Sequence, residues 1–115
     1  MNESPIFIKT QVFAVWLLER TERFRKTQRF VMGKRLQDAI LNFQEAIIQV
    51  AKKDNSIEYL READAQLEMV RRHIRTCVDL KLLSPRQYEY AAGHLVELGK
   101  LLGGWINKEN KGMNR

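Results

Sequence analysis

The stretch Leu36–Val50, LQDAILNFQEAIIQV, sets Leu36, Ile40, Phe43, Ile47 and Val50 at alternating spacings of four and three residues, with Ala39 and Ala46 beside them. That spacing returns each side chain to one side of a 3.6-residue helix. The segment therefore reads as an amphipathic helix with one apolar face.

The reading extends outward in both directions. Toward the amino terminus the helix reaches Thr27, a residue type that caps helix starts. Toward the carboxyl terminus it reaches about Lys53, where KDNS interrupts it, because Asp, Asn and Ser bond their own backbone and favour turns. Ser56 stands where it can cap a third helix, whose stripe is Leu60, Ala63, Leu67, Val70, Ile74 and Cys77 and which ends near Leu82. The sharpest local signal is SPRQ, Ser84–Gln87: a serine at the N-cap, a proline at the first helical position and a glutamine at the third, which completes a capping box. It opens a fourth helix carrying Tyr88, Ala91, Leu95, Leu98, Leu102 and Trp105. Before the opening stretch, Phe7, Phe13, Trp16, Leu17 and Leu18 mark a first helix, and the polar ERFRK follows it.

These boundaries predict helices over about 6–22, 27–53, 56–82 and 85–107. The tail 108–115 has nothing to bury and is expected to fray. The second and third helices, about 25 residues each, span roughly 38 Å at 1.5 Å per residue. Connections of a few residues force neighbours to run antiparallel. The expectation is an all-α fold, a single domain over 1–115 built as an up-down-up-down four-helix bundle.

At 115 residues and 44% hydrophobic, the chain is long enough for a core without a metal or disulfide. Its single cysteine, Cys77, lies on the apolar stripe and reads as a core residue. A lone cysteine makes a reducing cytoplasm the expected compartment. No run approaches the ~20 apolar residues of a membrane span, so no membrane partner is expected.

The charge is unevenly placed. Of 20 Lys and Arg against 14 Asp and Glu, a formal +6, the segment Arg20–Arg35 holds seven bases and one acid, Glu22, while the remainder is balanced. If the second and third helices fold back near Asp54, Lys34 and Arg35 lie opposite Ile74 and Arg75. The basic segment then shares one end of the bundle with Arg71, Arg72, Arg75, Lys81 and Arg86. Asp54, Glu58, Glu62, Asp64 and Glu68 make the other end acidic. A field of this kind steers anions to one pole, and arginine grips phosphate with a planar fork. Three readings follow: a nucleic-acid or other polyanion surface, a solvated face, or a dock for an acidic protein. Phe24 and Phe30, set among the bases, are read mainly as core under the connection, with base stacking as the alternative.

The chemistry of catalysis is missing from the pattern. His73 and His94 have no partner at ligand spacing, the Glu-x-x-His pairs of a di-metal bundle do not occur, and there is no phosphate-cradling glycine loop. No catalytic residue, metal or cofactor is expected, and the chain does not read as an enzyme. Gly99, Gly103 and Gly104 suggest either close packing or a helix nearing its end. Val12, Val15, Ile48 and Leu101 flank the apolar stripes and are candidates either for an interface between copies or for a wider core face.

Three blocks in order, KTQRFVMGKRLQDAI (26–40), SPRQYEYAAGHL (84–95) and ELGKLLGGW (97–105), resemble the accessory variability determinant, Avd, of diversity-generating retroelements. The resemblance covers about Ile6 to Ile106. It implies a four-helix bundle assembling as a basic homopentameric barrel. It also implies a bacterial or phage-encoded protein that binds template RNA, and possibly DNA, and partners the retroelement's reverse transcriptase. That enzyme copies the template with errors at adenines, and the variable cDNA rewrites a target gene. The matching blocks include Lys26, Arg29, Lys34 and Arg35. With Arg23, Arg25, Arg71, Arg72, Arg75, Lys81 and Arg86, placed by the bundle geometry, they form the expected interface. A related bundle family, the proteins encoded in intervening sequences of bacterial 23S ribosomal RNA genes, is less similar at TQRF and LLGGW. It remains the alternative, together with a helical adaptor that binds no nucleic acid.

Overall fold

The computed structural model describes residues 4–53 and 56–113, with side chains described through residue 110. Among the described residues the protein is all-helical, with four helices and no strand. The first helix is Pro5–Glu22. The second is built of three abutting pieces, Lys26–Gln28, a π-helical turn Arg29–Gly33, and Lys34–Lys52. The third is Ile57–Asp79 and the fourth Pro85–Met113. The first packs on the second and fourth, and the third packs on the same two. This is the antiparallel up-and-down arrangement that short connections require.

The apolar stripes meet in one core. Phe13 and Leu17 from the first helix, Leu36, Ile40, Phe43 and Ile47 from the second, Leu60, Leu67 and Ile74 from the third, and Leu98 and Leu102 from the fourth are fully buried. Each such side chain contributes about 1.5–3 kcal/mol of burial. Between the second and third helices, Gln49 shares a cleft with Tyr59, Ala46 with Glu62, and Asn42 with Gln66. That register sets Lys34 against Ile74. An aromatic seam joins the first helix to the fourth: Phe13 stacks on His94 at 5.2 Å, Trp16 meets Tyr90 at 4.8 Å, and Phe7 meets Trp105 edge-on at 6.2 Å.

Several helix ends differ from the sequence expectation, each for a local reason. The second helix starts at Lys26, with Arg25 rather than Thr27 at its N-cap, because the amides of Gln28 and Arg29 already bond the Arg25 carbonyl. Ser56 holds the N-cap position of the third helix and is buried, but it makes no side-chain capping bond. Asp54 and Asn55 of the expected break lie outside the described residues. At the fourth helix the capping box forms as read: the Ser84 amide donates to Gln87 Oε1 at 2.9 Å and the Gln87 amide to Ser84 Oγ at 3.1 Å. That helix does not stop near Asn107 but continues to Met113. Trp105 and Ile106 pack on the core, and 107–111 holds no proline to stop propagation, which adds one bond per residue once a helix exists.

The third helix ends at Asp79, earlier than Leu82, because the chain turns through Lys81 at a φ of 60°. The Lys81 amide bonds the Val78 carbonyl at 2.9 Å and the Leu82 amide bonds the Cys77 carbonyl at 2.8 Å, the paired bonds of a Schellman ending. The turn brings Leu82 back against the core. A left-handed conformation costs a residue with a Cβ about 1–2 kcal/mol, and glycine escapes that cost. Lys81→Gly is therefore expected to raise stability by about 1 kcal/mol net of glycine's greater unfolded freedom, read as a rise in the urea midpoint at unchanged slope. Cys77, at the head of this ending, is fully buried, and burial pushes its thiol up to about 12. It stays protonated and packs as a small apolar group.

Candidate nucleic-acid interface

The topology gathers at one end of the bundle the close of the first helix, the start of the second, the close of the third and the start of the fourth. Arg25 ties two of these together: its Nη1 donates to the Leu80 carbonyl at 3.1 Å, capping the third helix from the connection after the first. Cations suit the carbonyl end of a helix, so Arg25 acts here as a structural clamp. Thr21, at the same end, donates to the Leu18 carbonyl and accepts from Gln37 Nε2, both at 2.9 Å, which fixes the first helix to the second.

The expected interface residues divide by what they touch. Glu68 holds both Arg71 and Arg72 at 3.2 Å, and these hydrogen bonds keep its carboxyl below the usual carboxylate range. Arg71 also lies across the fourth helix, its Nη2 2.8 Å from where a Cβ would stand on Gly99. This pair is thus drawn toward the middle of the third helix rather than the basic pole. Lys34 pairs with Asp38 at 3.2 Å and Arg75 with Asp79 at 3.5 Å. Both pairs are exposed, and such pairs contribute about 0–1 kcal/mol, so a phosphate competes for either base. Among the described residues, Arg23, Lys26, Arg29, Arg35, Lys81 and Arg86 make no side-chain hydrogen bond or ion pair, and all six are exposed. Arg35 reaches the third helix, where its charge and partial burial together hold His73 below the ordinary histidine value, burial being the larger cause. His73 is neutral at pH 7 and adds nothing to the positive field.

The aromatic residues of this end part company. Phe24 is buried under the connection, as expected, whereas Phe30 is 73% exposed, the most exposed large apolar side chain described. The core reading of Phe30 is thus corrected. It sits in the π turn, where Phe30 and Val31 face outward while Met32 and Gly33 stay buried. With Val31, Lys34, Arg35 and Asp38 it lines a shallow cleft of about 450 Å³. Sequence reasoning had the signal: counted back from Leu36 at 100° per residue, Phe30 falls about 120° away from the apolar stripe. Arg20, the first base of the basic segment, turns back on its own helix, its guanidinium 5.9 Å over the Trp16 ring.

The fourth-helix glycines follow neither expected explanation completely. Gly99 makes room for Arg71, but a Cβ on Gly93, Gly103 or Gly104 would meet nothing within 4 Å, and the helix runs well beyond them. A second feature is exposed on the flank of the first two helices: Ile8, Val12 and Val15 form an i, i+4, i+7 stripe beside Leu41 and Ile48, across the Gln44 to Gln11 hydrogen bond of 2.8 Å. Leu101 is partly buried and packs against the core, the wider core face of its alternative reading.

The fold and its surface define a class: a small antiparallel helical bundle with unpaired bases gathered at one pole and an apolar stripe on its flank. The profile of the bAvd-like family matches residues 6–109, and the chain belongs to that family, consistent with an Avd-type accessory protein. No curated protein matches the chain. Among the described residues, no helix is long and apolar enough to cross a membrane.

Proposed function

We propose that the protein is a nonenzymatic accessory subunit of a diversity-generating retroelement, acting in the cytoplasm as a homopentameric barrel. It binds the retroelement's reverse transcriptase and template RNA and supports mutagenic cDNA synthesis and retrohoming. The observation that carries this reading is the gathering of Arg23, Lys26, Arg29, Arg35, Lys81 and Arg86, unpaired and exposed, at one pole of a bundle of the bAvd-like family. Five copies sum to a formal +30, and in a ring those poles lie side by side, where the field on a polyanion is strongest.

A ring needs two different faces that complement each other from copy to copy. The Ile8, Val12, Val15 stripe supplies one. A groove of about 180 Å³ lined by Arg71, Ile74, Tyr88, Ala92, Leu95 and Val96, between the third and fourth helices, supplies a second. Glycine costs about 1 kcal/mol in a helix interior, and Gly103 and Gly104, open in the single chain, are explained by the close approach of a neighbouring copy.

Co-expression with the cognate reverse transcriptase, followed by purification in moderate salt, tests the partner. The polymerase and template RNA are expected to co-elute with this protein. A polymerase that elutes alone ends the reading, and the adaptor or ribosomal-intervening-sequence alternatives then take its place.

A further inference from the structure

We propose that Phe30 is a stacking platform for an unpaired base, so that the basic pole takes single-stranded RNA in preference to duplex. The inference rests on the nucleic-acid reading above and names the form of its ligand. An exposed phenylalanine loses nothing in the folded chain by being replaced, yet the π turn presents this one at 73% exposure. π turns cost regular hydrogen bonding and recur at functional sites.

The surroundings say what covers it. Lys34 and Arg35 line the same cleft, Lys26 and Arg29 precede Phe30 by four residues and one residue in the sequence, and the one acid of the cleft, Asp38, is already bound to Lys34 at 3.2 Å. The cleft therefore favours a partner that is anionic around an apolar centre. A nucleotide has that form: a base with a π face and a phosphate on each side. Proteins that hold single strands combine aromatic platforms with a basic track in this way. A duplex hides its base faces within the stack and offers only phosphates to the same cations. The apolar Ile8, Val12, Val15 stripe has no such collar of cations, which sets Phe30 apart from the flank.

The test uses the full-length protein and fluorescence anisotropy with a uridine-rich single-stranded RNA and an RNA duplex of equal length, at low salt. Phe30→Ala and Phe30→Leu are both expected to weaken single-strand binding about 5- to 150-fold, the range for one stacked base. Phe30→Trp is expected to keep the affinity. Because stacking involves no phosphate, the salt slope stays that of the unaltered protein. Circular dichroism melting serves as the folding control, and an exposed side chain is expected to leave it unchanged.

Leucine matching phenylalanine would show that only apolar bulk matters and would overturn the stacking. So would duplex binding that falls as far as single-strand binding. Unaltered RNA affinity in all three variants, with lost co-purification of the polymerase, would make Phe30 a protein contact. If the unaltered protein binds no RNA at low salt, the nucleic-acid reading itself fails, an outcome distinct from the others.

Discussion

Exchange of Lys26, Arg29 and Arg35 together for glutamate is expected to lower RNA affinity by about 100- to 500-fold at 0.1 M salt. Each phosphate contact contributes a slope of about −0.7 to −0.9 in log affinity against log salt, and so about 0.7 to 0.9 of a decade at that concentration. The three residues are exposed and, among the described residues, unpaired. Their reversal therefore breaks no native ion pair, and helix content and melting are expected to hold. Each reversal changes the charge by two, so the formal +6 of the chain becomes zero. The measurement is a salt titration of anisotropy: the variant's slope should be smaller by about three times the per-contact value. An unchanged slope would mean that these cations do not face phosphate. The basic pole would then be a solvated face or a dock for acidic protein.

The choice of residues in that experiment shows what sequence alone conveyed. The 4,3 spacing from Leu36 to Val50 and the Ser84, Pro85, Gln87 capping box are local signals, and the helices and core follow them closely. The register of the second and third helices was also legible, because a short connection leaves little freedom in where two long helices face each other. Charge tallies placed Arg25, Arg71 and Arg72 with the other bases. They could not show that Arg25 binds the Leu80 carbonyl or that Glu68 holds both of the others. Those bonds depend on which rotamer reaches which carbonyl or carboxylate, information that is absent from spacing. The π turn lies in between: the phase of Phe30 against the stripe was countable. What no residue type in RFVMG dictates is the π turn itself. Lys81 is similar, since a lysine carries no mark of the left-handed turn that glycine would have announced.

Val12→Glu with Ile48→Glu is expected to convert a multi-chain assembly into single chains and to weaken RNA binding about 10²- to 10⁴-fold. Both side chains are about half exposed in the single chain, 51% and 44%, so the exchanges leave the bundle within about 0.5 kcal/mol of its original stability. In an assembled flank each glutamate is a charge without a partner, and burying an ion costs several kcal/mol even after relaxation. With two per chain, every subunit contact is opposed. The RNA effect follows from multivalency rather than from local charge: the pair lowers the formal charge only from +6 to +4 and lies away from Lys26, Arg29 and Arg35. Linked poles make the second and later contacts intramolecular, and that gain disappears when the ring comes apart. Light scattering in high salt with nuclease present measures the mass, and anisotropy of the same samples measures the affinity. A mass near five chains falling to one, with melting retained, supports the barrel and places its seam on the first two helices. Unaltered protein that runs as a single chain ends the barrel reading while leaving the pole intact. A variant that keeps the full mass rules out this flank as a seam, and with it the pairing of the flank with the groove at Tyr88, Leu95 and Val96.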